Sequence, residues 1–192
     1  MNRELILASE SRYKKKILDR LRIAFSTTAP TIDETPRSGE SARDLSRRLA
    51  QQKAETVANR HPNATVISTD QAAEVDGIIL GKPGTNQNAF DMLQTLSGKT
   101  VSFFTSVGMI QPSASCLIHT EEVIVTLRQL EDHEITRYVK ADMPLDCAGS
   151  FKVESLGISL FTSVKSKDPT ALEGLPLIRL CQWLRDQGFE IP

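Results

Sequence analysis

The chain has 192 residues, of which 40% are apolar and 24% charged, proportions typical of a globular protein with a single domain of one or two lobes. Its formal net charge of −1 argues against a general binder of nucleic acid or anionic membranes, and no apolar stretch approaches membrane-spanning length. The three cysteines lack C-x-x-C spacing, which predicts reduced thiols in a cytoplasmic protein and no zinc site.

The chain begins with a predicted buried strand followed by a basic helix. Leu5-Ile6-Leu7-Ala8 is the strand, and apolar spacing predicts a helix from near Ser11. A helix N-terminus attracts anions, whereas lysines in its first turn oppose the helix dipole. We therefore interpret Lys14 and Lys15 as ligands of a phosphate group, with the hydroxyls of Ser9 and Ser11 beside them. The alternative is a serine N-cap followed by a solvated basic face.

A proline-bounded loop carrying Asp33 and Glu34 precedes the next helix. Adjacent acids in such a loop are usually solvated, and the alternative is a Mg²⁺ ligand or an acid–base pair. Residues 41–60 are predicted as a helix with Lys53 on its apolar face. A lysine there either extends past the core to solvent or points into a charged cleft. We interpret Arg48 on the same helix as an ordinary surface charge.

The central stretch of the chain is a predicted strand that ends in a carboxylate. The β-branched run over 64–67 predicts a buried strand, and we expect Asp70 at or near its carboxyl end, where α/β sheets place their chemistry. Asp76-Gly77 between apolar runs predicts a hairpin. That hairpin would bring the Lys82 ammonium near Asp70, as a phosphate-binding lysine beside a metal-bound or water-activating carboxylate. The alternative is an exposed Asp70 that caps a turn and a solvated Lys82.

The remaining elements are further strands and helices. Strands are predicted over 23–28, 99–110, 116–127 and 158–164. Helices are predicted over 85–96 and 131–141, and from 174 to a stop at Gly188. Glu154, which precedes the last predicted strand, is by its position alone a surface charge.

These motifs resemble the Maf family of nucleoside triphosphate pyrophosphatases over nearly the whole chain. Each motif is weak by itself, and their order and spacing carry the resemblance. The matching stretches are Leu5-Ile6-Leu7-Ala8-Ser9-x-Ser11, Asp33-Glu34, Leu49-Ala50-x-x-Lys53-Ala54, Thr69-Asp70-Gln71, Gly81-Lys82-Pro83, Leu96-Ser97-Gly98, Ala148-Gly149-Ser150-Phe151 and Gly174-Leu175-Pro176-Leu177.

The resemblance implies a fold and a reaction. The fold is mixed α/β, with a strongly curved sheet and flanking helices in two lobes around a cleft, as in the inosine triphosphatase superfamily, and residues 1–192 form one domain. The enzyme is cytoplasmic, often homodimeric, and dependent on a divalent metal cation, Mg²⁺ or Mn²⁺. It hydrolyses a nucleoside triphosphate to a monophosphate and pyrophosphate, and its partner is this small molecule rather than nucleic acid or a membrane.

The resemblance also implies which residues act. The expected catalytic residues are Asp70, Glu34, Lys53 and Lys82. Asp70 and Glu34 are also the expected metal ligands, because carboxylates are hard oxygen ligands for a divalent cation. Asp70 is the candidate base that activates the attacking water, directly or through the metal. The lysines suit a triphosphate because they neutralise its charge.

Three positions are similar to the branch of the family that hydrolyses 7-methyl-GTP. The expected substrate-binding residues are Ser9, Ser11, Tyr13, Lys14, Lys15, Gln71 and Glu154, of which Tyr13, Gln71 and Glu154 mark the branch. That branch usually has tryptophan at the position of Tyr13, and the family commonly has proline at that of Arg12. The alternatives are a family member that acts on dTTP or UTP, and a nucleotide-binding regulator of cell division without turnover.

Overall fold

The computed structural model describes residues 4–192, which form a mixed α/β fold with a seven-stranded sheet. The strands are β1 (Leu5–Leu7), β2 (Ser26–Thr27), β3 (Thr65–Val75), β4 (Ile78–Leu80), β5 (Thr100–Ile110), β6 (Leu117–Leu127) and β7 (Phe161–Lys165). The α-helices are α1 (Arg12–Leu18), α2 (Ala42–Arg60), α3 (Asn86–Leu96), α4 (Asp132–Asp142) and α5 (Leu177–Asp186). The strand order is β2-β1-β3-β5-β6-β7, and β4 pairs with β3. The expected mixed α/β class is confirmed.

Strand β1 is buried on both faces, which explains its uninterrupted apolar sequence. It pairs in parallel with β2 and with β3. Leu5 and Leu7 pack in a core cluster with residues of α1 and α5, whereas Ile6 and Ala8 pack with Val57 of α2. Helices therefore cover both sides of this strand, as is usual for parallel strands.

Three helices begin directly after a serine or threonine N-cap. The hydroxyls of Ser11, Ser41 and Thr85 each accept a hydrogen bond from the backbone N–H three residues further on. Each bond satisfies one of the free N–H groups of a first helical turn. The helices predicted from these three residues are confirmed, as are α4 and α5.

Two predicted strands are shorter in the structure than their apolar patterns indicate. Of the stretch over 23–28, only β2 pairs with β1, while Ile23 and Phe25 are partly buried against the core. The strand predicted over 158–164 begins only at Phe161, because the residues before it form a 3₁₀ turn. In the first stretch Ile23 and Phe25 serve packing rather than strand pairing. In the second, Leu160 is buried, and Phe161 and Val164 pair with β6.

Asp70 lies in the middle of β3, so the prediction that it stands at or near the carboxyl end of its strand is wrong. Parallel pairing of β3 with β1 reaches Ile67, and antiparallel pairing with β4 begins at Ala73. Asp70 lies between these two ladders. The predicted hairpin at Asp76-Gly77 is confirmed, and both residues have positive φ, 51° and 75°, as a two-residue turn requires.

The described chain divides into two compact units. The first comprises the chain up to Gln71 with residues 104–121 and 168–192, and the second comprises residues 72–103 and 122–167. The second unit contains α3, α4 and an aromatic cluster in which the ring of Phe151 lies 5.2 Å from that of Phe103 and 4.7 Å from that of Phe161. Within residues 4–192, no helix combines the length and apolar character needed to cross a membrane.

Candidate active site

Lys53 of α2 lies between two carboxylates and forms the centre of the candidate site. Its Nζ is 2.5 Å from Oδ1 of Asp70 in β3 and 2.6 Å from Oε1 of Glu34 in the preceding loop. The side chains of Lys53 and Asp70 are 7% and 8% exposed, whereas that of Glu34 is 52% exposed. Of the two interpretations of Lys53, the charged surroundings are therefore the correct one.

The charge of Lys53 is maintained by its two partners. Burial by itself would lower the pKa of Lys53, because the ammonium loses hydration. The Asp70 carboxylate, followed by Glu34, outweighs this loss and holds the pKa of Lys53 above its ordinary value. Lys53 is therefore positively charged at neutral pH and offsets part of the negative charge of its partners.

Asp33 and Glu34 are adjacent in sequence but make different contacts. Oδ1 of Asp33 accepts a hydrogen bond from the Thr35 N–H at 2.9 Å, which forms a local turn. Hydrogen bonds from the side chain and backbone of Thr35 lower the pKa of Asp33. Glu34 is the member of the pair that contacts Lys53. Its role as a metal ligand stays a prediction.

Arg48 ties this loop to α2, so its interpretation as an ordinary surface charge is wrong. Its Nε lies 2.7 Å from Oε1 of Glu40 and its Nη2 lies 2.8 Å from Oε2, a two-pronged ion pair. Nη2 also donates to the Thr35 carbonyl at 3.1 Å. The hydrogen bonds from Arg48 lower the pKa of Glu40 to about 2, so this tether is charged across the neutral pH range.

The predicted phosphate ligands near α1 differ in their surroundings. Nζ of Lys14 donates to the Thr69 carbonyl of β3 at 2.8 Å, whereas Lys15 is exposed. Oγ of Ser9 accepts from the Ser11 N–H at 3.1 Å, and Ser11 itself is the N-cap of α1. The helix thus places one ammonium against β3, beside the candidate base, and another in solvent.

The ring of Tyr13 is in contact with a cation of its own chain. Nη2 of Arg12 donates to the Tyr13 hydroxyl at 2.8 Å, and the guanidinium carbon is 4.9 Å from the ring centroid. This distance is typical of a cation–π contact. The Tyr13 ring therefore already contacts a planar cation.

Gln71 is bonded through its side-chain nitrogen to the segment before α5. The acceptors of Nε2 are Oγ1 of Thr105 at 2.9 Å and the carbonyls of Ala171 and Leu172 at 3.0 and 3.1 Å. The amide has two N–H donors, so these acceptors use both. A direct bond between Gln71 and a nucleotide would therefore run through its Oε1.

The segment over 168–176 supports β3 and β5 through hydrogen bonds that were not predicted from the sequence. Oγ1 of Thr69 donates to the Gly174 carbonyl at 2.8 Å, and Oγ1 of Thr105 donates to the Ala171 carbonyl at 2.8 Å. Together with the bonds of Gln71, these contacts hold the residues on both sides of Asp70. No pattern in the sequence pairs these distant stretches.

Asp168 stabilises that segment and is 3% exposed. Its Oδ1 accepts from the Thr170 N–H at 3.0 Å, and its Oδ2 accepts from the Ile178 N–H in the first turn of α5 at 2.7 Å. A carboxylate at a helix N-terminus is favourable for the helix dipole. The available signal was an aspartate directly before a proline, which is typical of a turn or cap.

Lys82 and Glu154 lie in the second unit and are both exposed. Lys82 follows β4, and Glu154 lies in the turn over 152–157, the last residues of which begin the 3₁₀ segment Leu156–Leu160. The structure brings together Glu34, Lys53 and Asp70 within the first unit. The roles of Lys82 and Glu154 stay predictions from the resemblance.

The oxygen donors of the first unit fit a hard divalent cation. Asp70 and Glu34 already share one positive charge, at 2.5 and 2.6 Å from their oxygens. Within residues 4–192, no group of three or more His, Cys, Asp or Glu side chains is arranged to hold a metal ion. Two carboxylates, with the other ligands supplied by phosphate and water, are usual for Mg²⁺ in nucleotide enzymes.

The cysteines do not provide a nucleophile. All three are free thiols. Burial raises the pKa of Cys116 to about 11 and that of Cys147 to about 12, so both are protonated and unreactive at neutral pH. The chemistry of the site therefore rests on carboxylates and lysines.

Comparison with known proteins gives consistent matches over the full chain. The family model described as Maf-like protein matches residues 4–187. A Pseudomonas aeruginosa protein named 7-methyl-GTP pyrophosphatase is 50% identical over 191 residues, which cover 98% of this chain and 99% of that protein. A Xanthomonas oryzae pv. oryzae protein of the same name is 51% identical over 189 residues, 98% of each chain.

A solved structure supports the fold. The Staphylococcus aureus Ham1 protein aligns with a TM-score of 0.54 and 16% identity, over 97% of this chain and 100% of that one. At this identity the likeness concerns the fold alone. Because the family model and the two relatives span nearly all of the sequence, the chain belongs to the Maf family.

Proposed function

We propose that this protein is a nucleoside triphosphate pyrophosphatase that hydrolyses 7-methyl-GTP to 7-methyl-GMP and diphosphate and so removes a modified nucleotide. The observation that carries the proposal is the buried Lys53 ammonium shared by Asp70 and Glu34. It occurs in a chain that matches proteins named 7-methyl-GTP pyrophosphatase over nearly its full length.

Asp70 is the proposed general base. A water molecule attacks the α-phosphorus, its proton passes to an Asp70 oxygen, and the bond from the α-phosphorus to the bridging oxygen breaks, so that pyrophosphate leaves. Lys53 holds Asp70 through Oδ1 at 2.5 Å, which orients the carboxylate. A base positioned in this way contributes roughly 10²–10⁴-fold to the rate.

Two carboxylates alone would repel a triphosphate. Lys53 offsets part of that repulsion, and Asp70 with Glu34 are the residues that would hold Mg²⁺ or Mn²⁺ shared with the phosphates. When bound, such a cation supplies positive charge against the phosphate oxygens. Further positive charge is proposed to come from Lys14, Lys15 and Lys82, and hydrogen bonds to phosphate from Ser9 and Ser11.

The proposed substrate carries a positive charge on its base. A cationic purine suits an electron-rich ring and a carboxylate, which Tyr13 and Glu154 supply in this proposal. The Arg12 guanidinium 4.9 Å from the Tyr13 ring supports it, since that ring already accepts a planar cation. Gln71 is proposed to hydrogen-bond the nucleotide through Oε1. Residence in the cytoplasm and a homodimeric state are also part of the proposal and rest on the resemblance.

A product analysis tests the proposal. The purified protein is incubated with 7-methyl-GTP, GTP, dTTP or UTP in ¹⁸O-water with Mg²⁺ or Mn²⁺, and the products are identified by mass spectrometry. We expect kcat/KM to be highest for 7-methyl-GTP, with ¹⁸O in the monophosphate, and we expect activity to be lost in excess EDTA.

Each alternative gives a different outcome of this experiment. Release of orthophosphate with a nucleoside diphosphate would contradict cleavage at the α-phosphorus. Faster hydrolysis of dTTP or UTP would overturn the substrate assignment but keep the reaction. Tight nucleotide binding without any turnover would indicate the regulator rather than the enzyme.

A further inference from the structure

The turn over 152–157, which carries Glu154, is held at both ends. The carbonyl of Lys152 accepts from the Ser155 N–H at 3.2 Å and from the Gly157 N–H at 2.9 Å. A β-carbon at position 157 would lie 2.4 Å from the Lys152 carbonyl oxygen, so only glycine allows this approach. Immediately before the turn, Phe151 packs in the aromatic cluster of the second unit. The backbone around Glu154 is therefore closed into a tight loop.

Lys152 fastens this loop to the end of α4. Its Nζ donates to the carbonyls of Asp142 and Met143 at 2.7 and 3.0 Å. Its backbone N–H donates to the hydroxyl of Tyr138, which is buried, at 2.9 Å. An ammonium at the C-terminus of a helix is favourable for the helix dipole. The backbone N–H, the carbonyl and the side chain of Lys152 are thus all engaged by protein atoms.

Asp142 fastens the other side of Glu154. Its Oδ1 accepts from the Ser155 hydroxyl at 2.6 Å. This bond fixes Ser155, the residue directly after Glu154.

Glu154 is the exposed residue between these two anchors. Its neighbours in the chain are a partly buried valine and the anchored Ser155. A carboxylate on a rigid backbone loses less freedom when it accepts hydrogen bonds from a ligand, so it binds and discriminates better than one on a mobile loop. The arrangement is that of a presented carboxylate rather than of an incidental surface charge.

We propose that Tyr138, Asp142, Lys152 and Ser155 are positioning residues that hold Glu154 in the geometry needed to accept hydrogen bonds from the guanine edge of the substrate. This inference rests on the proposed function, because it needs Glu154 to contact the base. These residues act on base selectivity through Glu154 and take no part in the reaction at the phosphorus.

The test measures base selectivity as the ratio of kcat/KM for 7-methyl-GTP to that for UTP. Tyr138→Phe keeps the ring and removes the acceptor of the Lys152 N–H, and Ser155→Ala removes the bond to Asp142. Ser159→Ala is the matched control, because the hydroxyl of this exposed serine donates only to the Leu156 carbonyl of its own turn among the hydrogen bonds described, and the bond from Arg128 to its backbone carbonyl is kept. We expect each of the two test variants to lower the ratio about tenfold, because kcat/KM falls for 7-methyl-GTP and stays constant for UTP. The control should leave the ratio unchanged.

A double-mutant cycle with Glu154→Ala identifies the route of the effect. In the Glu154→Ala background, Ser155→Ala should not lower the ratio further, because the residue through which it acts is gone. If Glu154→Ala lowers the ratio and neither Ser155→Ala nor Tyr138→Phe does, the positioning inference is wrong and the proposed function stands. If Glu154→Ala itself leaves the ratio unchanged, the proposed role of Glu154 fails and the inference fails with it. Ser155 is exposed, so its variant still decides the question if Tyr138→Phe does not fold.

Discussion

The two carboxylates that share Lys53 lie in opposite kinds of structure. Asp70 is in the middle of a buried strand, and its side chain is 8% exposed, whereas Glu34 is in a loop and is 52% exposed. Both oxygens lie about equally close to the same ammonium. The contact distance alone therefore does not set the energy of an ion pair. Solvent weakens the attraction between Lys53 and the exposed Glu34, whereas the attraction to the buried Asp70 is screened much less.

Substitution of Lys53 should have the largest effect, because it removes the partner of both carboxylates. Lys53→Met keeps much of the side-chain volume but leaves Asp70 buried without a cation, which should cost roughly 3–5 kcal/mol and abolish activity. Denaturation by urea, followed by circular dichroism, measures the loss. An unchanged urea midpoint would show that the pair with Asp70 contributes nothing to stability.

The same variant should change how stability depends on pH. In the wild type the pKa of Lys53 is raised by folding, so its contribution is present at neutral pH and is lost only as pH rises above roughly 10. In Lys53→Met the titrating ammonium is absent, so the loss of stability above roughly pH 10 should be smaller than in the wild type. Thermal melts across this range distinguish the two profiles.

Asp70→Asn should have the second-largest effect, after Lys53→Met. The side-chain size is retained and Lys53 keeps Glu34 as its partner, so the protein should fold. Activity should fall roughly 10²–10⁴-fold in kcat, with a smaller change in KM, if Asp70 is the base. A folded variant with near-normal turnover would remove Asp70 from the reaction.

Glu34→Gln should have a smaller effect than Asp70→Asn on stability and activity. Since Glu34 is half exposed, loss of its charge should cost at most about 1 kcal/mol of stability. The variant would have one carboxylate ligand instead of two and should bind the metal more weakly. We therefore expect the Mg²⁺ concentration required for half-maximal activity to rise about tenfold. Activity titrated with Mg²⁺ at saturating substrate checks this, and an unchanged requirement would exclude Glu34 as a ligand.

Asp33→Asn is the matched control for Glu34→Gln and should have the smallest effect. It replaces the neighbouring acid by its amide, and asparagine supports the same turn through its side-chain oxygen. Both kcat/KM and the Mg²⁺ requirement should stay within about twofold of wild type. A loss as large as that of Glu34→Gln would show that the loop, rather than the Glu34 carboxylate, determines the result.

Local patterns in the sequence were sufficient to predict most elements of the fold. The helix starts near Ser11, at Ser41 and at Thr85 and the turn at Asp76-Gly77 depend on residues within a few positions of each other, and the structure has each of them. The limits of the strands were not predictable in this way. The apolar run over 64–67 and the first arm of the hairpin were predicted separately, whereas in the structure they are one strand, β3, that continues through Asp70.

In the candidate site, too, local patterns predicted some features and not others. Helical periodicity placed Lys53 on the buried face of α2, where a lysine either extends to solvent or has charged surroundings. The family resemblance, and not the local pattern, singled out Glu34 from the Asp33-Glu34 pair, because both acids have the same charge and only the turn at Thr35 separates their directions. The support of β3 by the segment over 168–176 joins residues about a hundred positions apart and left no local pattern.

The tether at Arg48 affects how fast Glu34 can be released from Lys53. Because Arg48 holds the Thr35 carbonyl and Glu40, the backbone next to Glu34 is fastened, and release of Glu34 from Lys53 needs only rotation about side-chain bonds. Such rotations at exposed positions take picoseconds to nanoseconds, far less than the time for a strand to open. We therefore expect Lys53 to exchange its outer carboxylate by side-chain rotation alone, while Asp70 stays in place.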